Sequence, residues 1–141
     1  MSSPSPTTPA GRRRIVVADE DPKVVEFIIQ TLRVDGHTIF HAYDALSAVE
    51  LAVALTEQAD LIITNTRVGG QPGVQLINDL RSRQPSLPVL YIANMDRSTP
   101  AIEDQLPRNV PILREPFTAE QLRAVVNSLL AGTPGLLDVG R

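Results

Sequence analysis

The sequence predicts an α/β domain in which a parallel sheet carries helices on both faces. Two observations support this. Five short apolar runs rich in β-branched residues recur along the chain, as expected of strands buried on both sides. Between them, apolar residues return every three or four positions, the pattern of amphipathic helices. Short connections between alternating strands and helices select a parallel arrangement, because a helix must return the chain before each new strand.

Ile15-Val16-Val17-Ala18 reads as the first strand. Asp21-Pro22 supplies an N-cap and a first-turn proline. Val24, Val25, Ile28, Ile29 and Leu32 then repeat on one helical face, closed by Gly36. The second strand is His37-Thr38-Ile39-Phe40-His41, and Asp44 caps a second helix with Ala48, Val49, Ala52 and Leu55 on its apolar face. Leu61 to Thr64 forms the central strand. The next segment, Val68-Gly69-Gly70-Gln71-Pro72-Gly73, is expected to be a flexible loop, and without a following Gly-Lys-Ser/Thr it is no phosphate cradle. A third helix carries Leu76, Ile77 and Leu80 and ends before Pro85. Val89 to Ala93 is the fourth strand. Ser98 to Leu106 is a weak helix that tolerates Pro100 only in its first turn. Val110 to Leu113 is the fifth strand. Thr118 and Gln121 then form a capping-box pattern before a last helix faced by Leu122, Val125, Val126, Leu129 and Leu130.

Composition narrows the function classes. The chain has 141 residues, enough for one domain with a sizeable core. A net charge of −3 gives no general pull toward nucleic acid or anionic membrane, and Arg12-Arg13-Arg14 reads as a solvated lead-in to the first strand. No apolar run approaches the roughly 20 residues of a membrane span. The first residues lack a signal-peptide core, so the expected location is the cytoplasm. With 0 cysteines, disulfides, thiol catalysis and cysteine-ligated metals are excluded. His37 and His41 share one face of a strand about 13 Å apart, too far for a joint metal site.

The chemistry is expected at the tip of the central strand. Asp60-Leu61-Ile62-Ile63-Thr64-Asn65-Thr66-Arg67 runs from apolar to polar, and such a strand delivers its last residue into the crevice at the carboxyl edge of the sheet. That residue is Asn65. Asp19-Glu20-Asp21 and Glu115-Pro116, at two other strand ends, are expected to meet it there.

The order and spacing of these motifs resemble the receiver domain of two-component response regulators. The marks are Ile15 to Pro22, Ala59 to Ile63, Gly73 with Leu76, Leu87 to Leu90, and Glu115-Pro116-Phe117-Thr118, and together they cover about Arg14 to Leu130. The resemblance implies a flavodoxin-like three-layer (βα)5 fold with a five-stranded parallel sheet in the order 2-1-3-4-5. The Ser-, Pro- and Thr-rich start reads as a disordered leader (1–11), the receiver-like domain is expected over 12–131, and the Gly- and Pro-containing end reads as a loose tail (132–141). In that family an acid pair on the first strand holds Mg²⁺, and an aspartate on the third accepts a phosphoryl group from a histidine kinase. A lysine on the fifth strand contacts that group, and a hydroxyl on the fourth couples it to an aromatic switch.

Carried over residue by residue, the family pattern is only partly kept. The metal acids fall on Asp19 and Glu20. The phospho-acceptor position falls on Asn65, whose amide is no phosphoryl acceptor. The hydroxyl position falls on Ala93, the lysine on Glu115 and the aromatic switch on Ile112, while the only lysine in the chain is Lys23. Asp60, at the far end of its strand, and Thr64 and Thr66, without an activating base, are no substitutes. The expectation is therefore an atypical, stand-alone receiver that is not phosphorylated, is not an enzyme, and serves phosphorelay signalling as a protein-binding module. The expected partner is a histidine kinase or phosphotransfer protein, with no nucleic acid, no membrane and an open oligomeric state. The alternative is a flavodoxin-like small-molecule-binding protein or minor enzyme using the acid cluster Asp19, Glu20 and Glu115. Those acids need neutralising. Arg67 is the expected counter-ion, ahead of Arg114 and of a weak Mg²⁺ site at Asp19 and Glu20, and no other cofactor is expected.

Overall fold

The computed structural model describes residues 13–54 and 59–132. The expected leader, Arg12, Leu55 and the tail after Gly132 lie outside the described residues. The chain runs β1 (Arg14–Ala18), α1 (Pro22–Arg33), β2 (Thr38–Ala42), α2 (Ala45–Ala54) and β3 (Leu61–Asn65). A small hairpin follows, β4 (Arg67–Val68) and β5 (Gln71–Pro72), then α3 (Gly73–Arg83), β6 (Val89–Ala93), α4 (Pro100–Glu103), β7 (Ile112–Arg114) and α5 (Ala119–Ala131).

The main sheet is parallel throughout, in the order β2-β1-β3-β6-β7. With the hairpin set apart, this is the expected 2-1-3-4-5 arrangement, a flavodoxin-like fold. Every residue of β3 and β6 is buried, whereas β2, on an edge, is half-exposed. Alternate side chains go to opposite faces. Ile15, Val17, Leu61, Ile63, Leu90 and Ile92 pack under α1 and α5. On the other side Val16, Ile62, Val89, Tyr91 and Ile112 meet α2 and α3. Two apolar cores thus sandwich the sheet, and the chemistry is left to the strand ends.

The helix boundaries follow from local chemistry. The Asp21 side chain accepts from the Lys23 N–H ahead of Pro22. Asp44 Oδ1 accepts from the Ser47 N–H at 2.8 Å. Both halves of the Thr118/Gln121 capping box are present, and Gly132 closes α5 in the left-handed region. The Glu115-Pro116 peptide is cis.

Three expectations need correction. The segment after Val68 is an ordered hairpin: Gly69 and Gly70 both have positive φ, the geometry of a tight turn whose twist suits antiparallel strands. The fifth strand lies further along than its apolar run, at Ile112–Arg114, with Val110 buried just before it. The expected helix from Ser98 shrinks to Pro100–Glu103, capped by the Thr99 hydroxyl on the Ile102 N–H.

Candidate functional site

At the carboxyl edge of the sheet, where β1 and β3 end side by side and β7 ends beyond β6, Asp19, Glu20, Asn65 and Glu115 line a crevice of about 120 Å³. Its close packing depends on Gly73. A Cβ there would lie 1.9 Å from the Asn65 carbonyl oxygen, so the chain entering α3 can press against the tip of β3 only without a side chain.

Asn65 is the hub. Its amide nitrogen donates to Asp19 Oδ2 at 2.7 Å and to Glu115 Oε2 at 3.1 Å, while its Oδ1 accepts from the Thr66 N–H. Both amide hydrogens are thus aimed at carboxylates, and the side chain bridges two acids that would otherwise repel. Asp19 Oδ1 accepts from the Asp21 N–H at 2.9 Å. A second carboxamide, Asn94, donates to Glu115 Oε1 at 3.2 Å. Asp19 is 2% exposed, and burial pushes its carboxyl up to about 6, against the opposing pull of the Asp21 N–H and the Asn65 amide. The charges of Glu115 and Asp21 push it the same way.

Glu20 turns away from this pair. Its Oε1 accepts from the Gly70 N–H at 2.8 Å, and its other oxygen lies 3.9 Å from the Arg97 guanidinium. The expected counter-ion is therefore displaced. Arg67 lines the crevice but donates to the Gly70 carbonyl, because the hairpin folds the chain back toward its own guanidinium. Among the described residues the ion pair at the crevice is Arg97–Glu20, and Asp19 and Glu115 are met by amides. Arg114 points the other way, as strand alternation requires, and makes a bidentate pair with Glu103 at 2.8 and 2.9 Å.

Two of the remaining positions singled out in the sequence are apolar and buried. Ala93 is 1% and Ile112 6% exposed, both packed in the core under α2 and α3. Where a hydroxyl on β6 was sought, Thr66 Oγ1 instead donates to the Ile92 carbonyl and accepts from the Asn94 N–H at 2.8 Å. Asp60 sits at the opposite edge, accepting from the Arg14 N–H. His41 Nε2 lies 3.3 Å from the Asp19 carbonyl, whereas His37 is buried against the Arg13 N–H, so the two histidines do not share a site. Sequence reading missed Asn94 and Arg97. The only available signal was their place just after the fourth strand, on the loop that borders the crevice.

Comparison with known proteins agrees with this fold. The family model of the response regulator receiver domain matches residues 15–127. The chain is 27% identical over 119 residues to the probable transcriptional regulatory protein TcrX of Mycobacterium tuberculosis, covering 84% of this chain and 50% of that protein. It is 22% identical over 127 residues to the sensor kinase CckA of Brucella abortus, covering 86% of this chain and 13% of that one. The chain thus spans half or less of these relatives. Among solved structures, the signal receiver domain of an HD domain-containing protein from Pseudomonas fluorescens Pf-5 superposes with a TM-score of 0.77 at 18% identity, covering 86% of this chain and 96% of that one. No described helix is long and apolar enough to cross a membrane. With the fold, the strand-end crevice and a family match over most of its length in agreement, the chain belongs to the response regulator receiver domain family, the signalling module of two-component systems.

Proposed function

We propose that this receiver does not accept phosphate and acts in two-component signalling as a protein-binding module. The observation that carries the reading is the Asn65 amide donating to both Asp19 and Glu115. At the position where the family holds its nucleophilic carboxylate, this chain holds a hydrogen-bond donor whose nitrogen is committed to two acids. Glu115 in place of a lysine adds negative charge where phosphoryl oxygens would need positive charge. The test is incubation with acetyl phosphate and Mg²⁺, followed by intact-mass measurement and by Phos-tag electrophoresis at neutral pH. No phosphate adduct is expected, and a stoichiometric one that survives mutation of surface serines and threonines would sink the reading.

The same geometry supports a crevice without a resident divalent cation. Three of the four carboxylate oxygens of Asp19 and Glu20 already accept from protein N–H groups, the fourth lies 3.9 Å from the Arg97 guanidinium, and the amide hydrogens of Asn65 point into the space between Asp19 and Glu115. The described residues contain no convergent group of three or more acids and histidines suited to a metal. Calorimetric titration with Mg²⁺ is expected to show no saturable heat in the low millimolar range.

The surface next to the crevice supports a protein partner. Phe27, on α1, is 40% exposed and packs at 5.8 Å on Phe117, while Met95 is 69% exposed beside them. Together with Val24 and Pro116 they line a shallow apolar recess of about 480 Å³. Solvent-facing aromatic and methionine side chains are the groups that anchor protein interfaces. The partner proposed is the helical phosphotransfer region of a histidine kinase, or a phosphotransfer protein, occupied without receiving or giving phosphate. Affinity capture followed by a binding titration tests this, with Phe27→Asp expected to weaken the complex at least tenfold. Recovery of no such protein would remove the chain from phosphorelay signalling.

A further inference from the structure

A larger cleft, of about 760 Å³, opens on the other side of the hairpin, between Arg67 and Pro72, the outer face of α3 and the turn that carries α4. Its volume lies within the range of small-ligand pockets. The lining is unusual in charge: two guanidinium groups, Arg67 and Arg97, three carboxamides, Gln75, Asn78 and Gln105, and no carboxylate among the described residues that form it. Val74 and Ile102 provide an apolar floor. The walls are tied together, since the Asn78 amide donates both to the Val74 carbonyl and to the Gln105 carbonyl at 3.1 Å, holding the turn after α4 against α3.

Neither arginine is closely neutralised. Arg67 donates to a backbone carbonyl, and Arg97 is half-exposed, 3.9 Å from Glu20. Two guanidinium forks at one rim match the oxygens of a phosphate, which they grip through paired charge-assisted hydrogen bonds. The carboxamides of Gln75, Asn78 and Gln105, exposed along the walls, suit the hydroxyls or ring nitrogens of an attached sugar or base. We propose that this cleft binds a phosphorylated small molecule of sugar-phosphate or mononucleotide size. Thr66, Arg67 and Arg97 line both the cleft and the acid crevice, so an occupant drawing Arg97 inward frees Glu20 and alters the edge of the crevice. A receiver with no phospho-acceptor aspartate would thereby take its input from a free phosphate ester.

The experiment is amide and side-chain NMR of the intact chain titrated with ribose 5-phosphate and with adenosine monophosphate, using adenosine and inorganic phosphate as partial probes. Saturable shifts at Gln75, Asn78, Arg67 and Arg97 are expected with at least one ester, and weaker ones with either fragment alone. Arg67→Gln together with Arg97→Gln should weaken binding by at least about tenfold, the loss expected when charge-assisted hydrogen bonds are removed. Because Arg67 also braces the hairpin, Gln105→Glu serves as a second variant. It leaves both arginines in place, adds a negative charge at an exposed wall and should weaken binding comparably. Absence of saturable shifts with both esters overturns the proposal, as does binding that neither variant changes.

Discussion

Two polar networks flank the last strand of the sheet, and they handle charge in opposite ways. Glu115 faces the crevice, where it and Asp19 are met by the neutral amides of Asn65 and Asn94. Its neighbour Arg114 faces α4, where it pairs bidentately with Glu103, while Tyr91 and Glu103 both meet the Ser98 hydroxyl. Asp19 is buried, so ionising it is costly and its carboxyl is pushed up to about 6. The clamp lies near solvent, and its arginine is held in the charged form, pushed above its ordinary value by the hydrogen bonds to Glu103. Burial, more than the number of partners, separates the two. In the crevice amides lower the cost of two acids in one place, and beside α4 an ion pair with its arginine half-exposed fastens a short helix.

The largest effect should come from breaking the crevice from behind. Gly73→Ala forces a Cβ to 1.9 Å from the Asn65 carbonyl and 2.9 Å from Thr64 Cγ2, and both neighbours are held by the sheet. A loss of about 4 kcal/mol or more is expected in urea denaturation, against little change for alanine at the open, exposed Gly70 beyond the strain of its positive φ. Next is Asn65→Asp, which replaces a donor with a third carboxylate beside Asp19 and Glu115. It should cost about 2–4 kcal/mol at pH 7, with much of it recovered at pH 5 as one acid takes up a proton. A neutral effect at pH 7 would mean that the amide does not bridge the acids.

The crevice should also write itself into the pH dependence of stability. The Asp19 carboxyl rises from 3.8 in the unfolded chain to about 6 in the fold, so the native state holds a proton that the unfolded state has released. The contribution is fully present below pH 3.8 and is lost as the pH rises through 6, a change of the order of 2–3 kcal/mol. Asp19→Asn should remove that slope. His37 works in the opposite sense, because burial lowers its imidazole below 6.5 and stability is lost as the pH falls through that value. Denaturation midpoints of the wild type, Asp19→Asn and His37→Gln between pH 4 and 8 separate the two slopes.

What could be read in advance follows from what repeats. Strand runs such as Ile15 to Ala18 and Leu61 to Ile63 declare themselves because burial on both faces demands unbroken apolar residues. The strand-end positions Asp19, Asn65 and Glu115 followed from those runs, and the structure brings them within hydrogen-bonding distance. Direction was harder. Arg67 was expected over the acids because it has the reach, but a two-glycine turn, whose φ values a sequence read as flexible does not reveal, folds it onto its own hairpin. Arg81 is a similar case: on α3 it was one polar residue among several, yet its guanidinium donates to the carbonyls of Leu87, Arg108 and Asn109. Long side chains that satisfy distant backbone carbonyls leave no periodic mark.

The smallest effects belong to the clamp, and they sharpen the comparison most. The short helix α4 is fastened by the Arg114–Glu103 pair and by the Asn78 amide on the Gln105 carbonyl. The clamp is one of these fastenings; its arginine is 46% and its glutamate 12% exposed, and a pair with one partner near solvent contributes about 1 kcal/mol. Glu103→Gln and Arg114→Ala should each cost about that much. Tyr91→Phe removes a hydroxyl that meets Ser98 at 3.0 Å and should cost about 1 kcal/mol. The informative readout is local: hydrogen exchange at residues 100–106 should quicken in all three variants while β3 and the crevice stay protected. Equal loss of protection at Asn65 would mean that the two networks form one cooperative unit, so that clamping α4 and plugging the crevice are a single device.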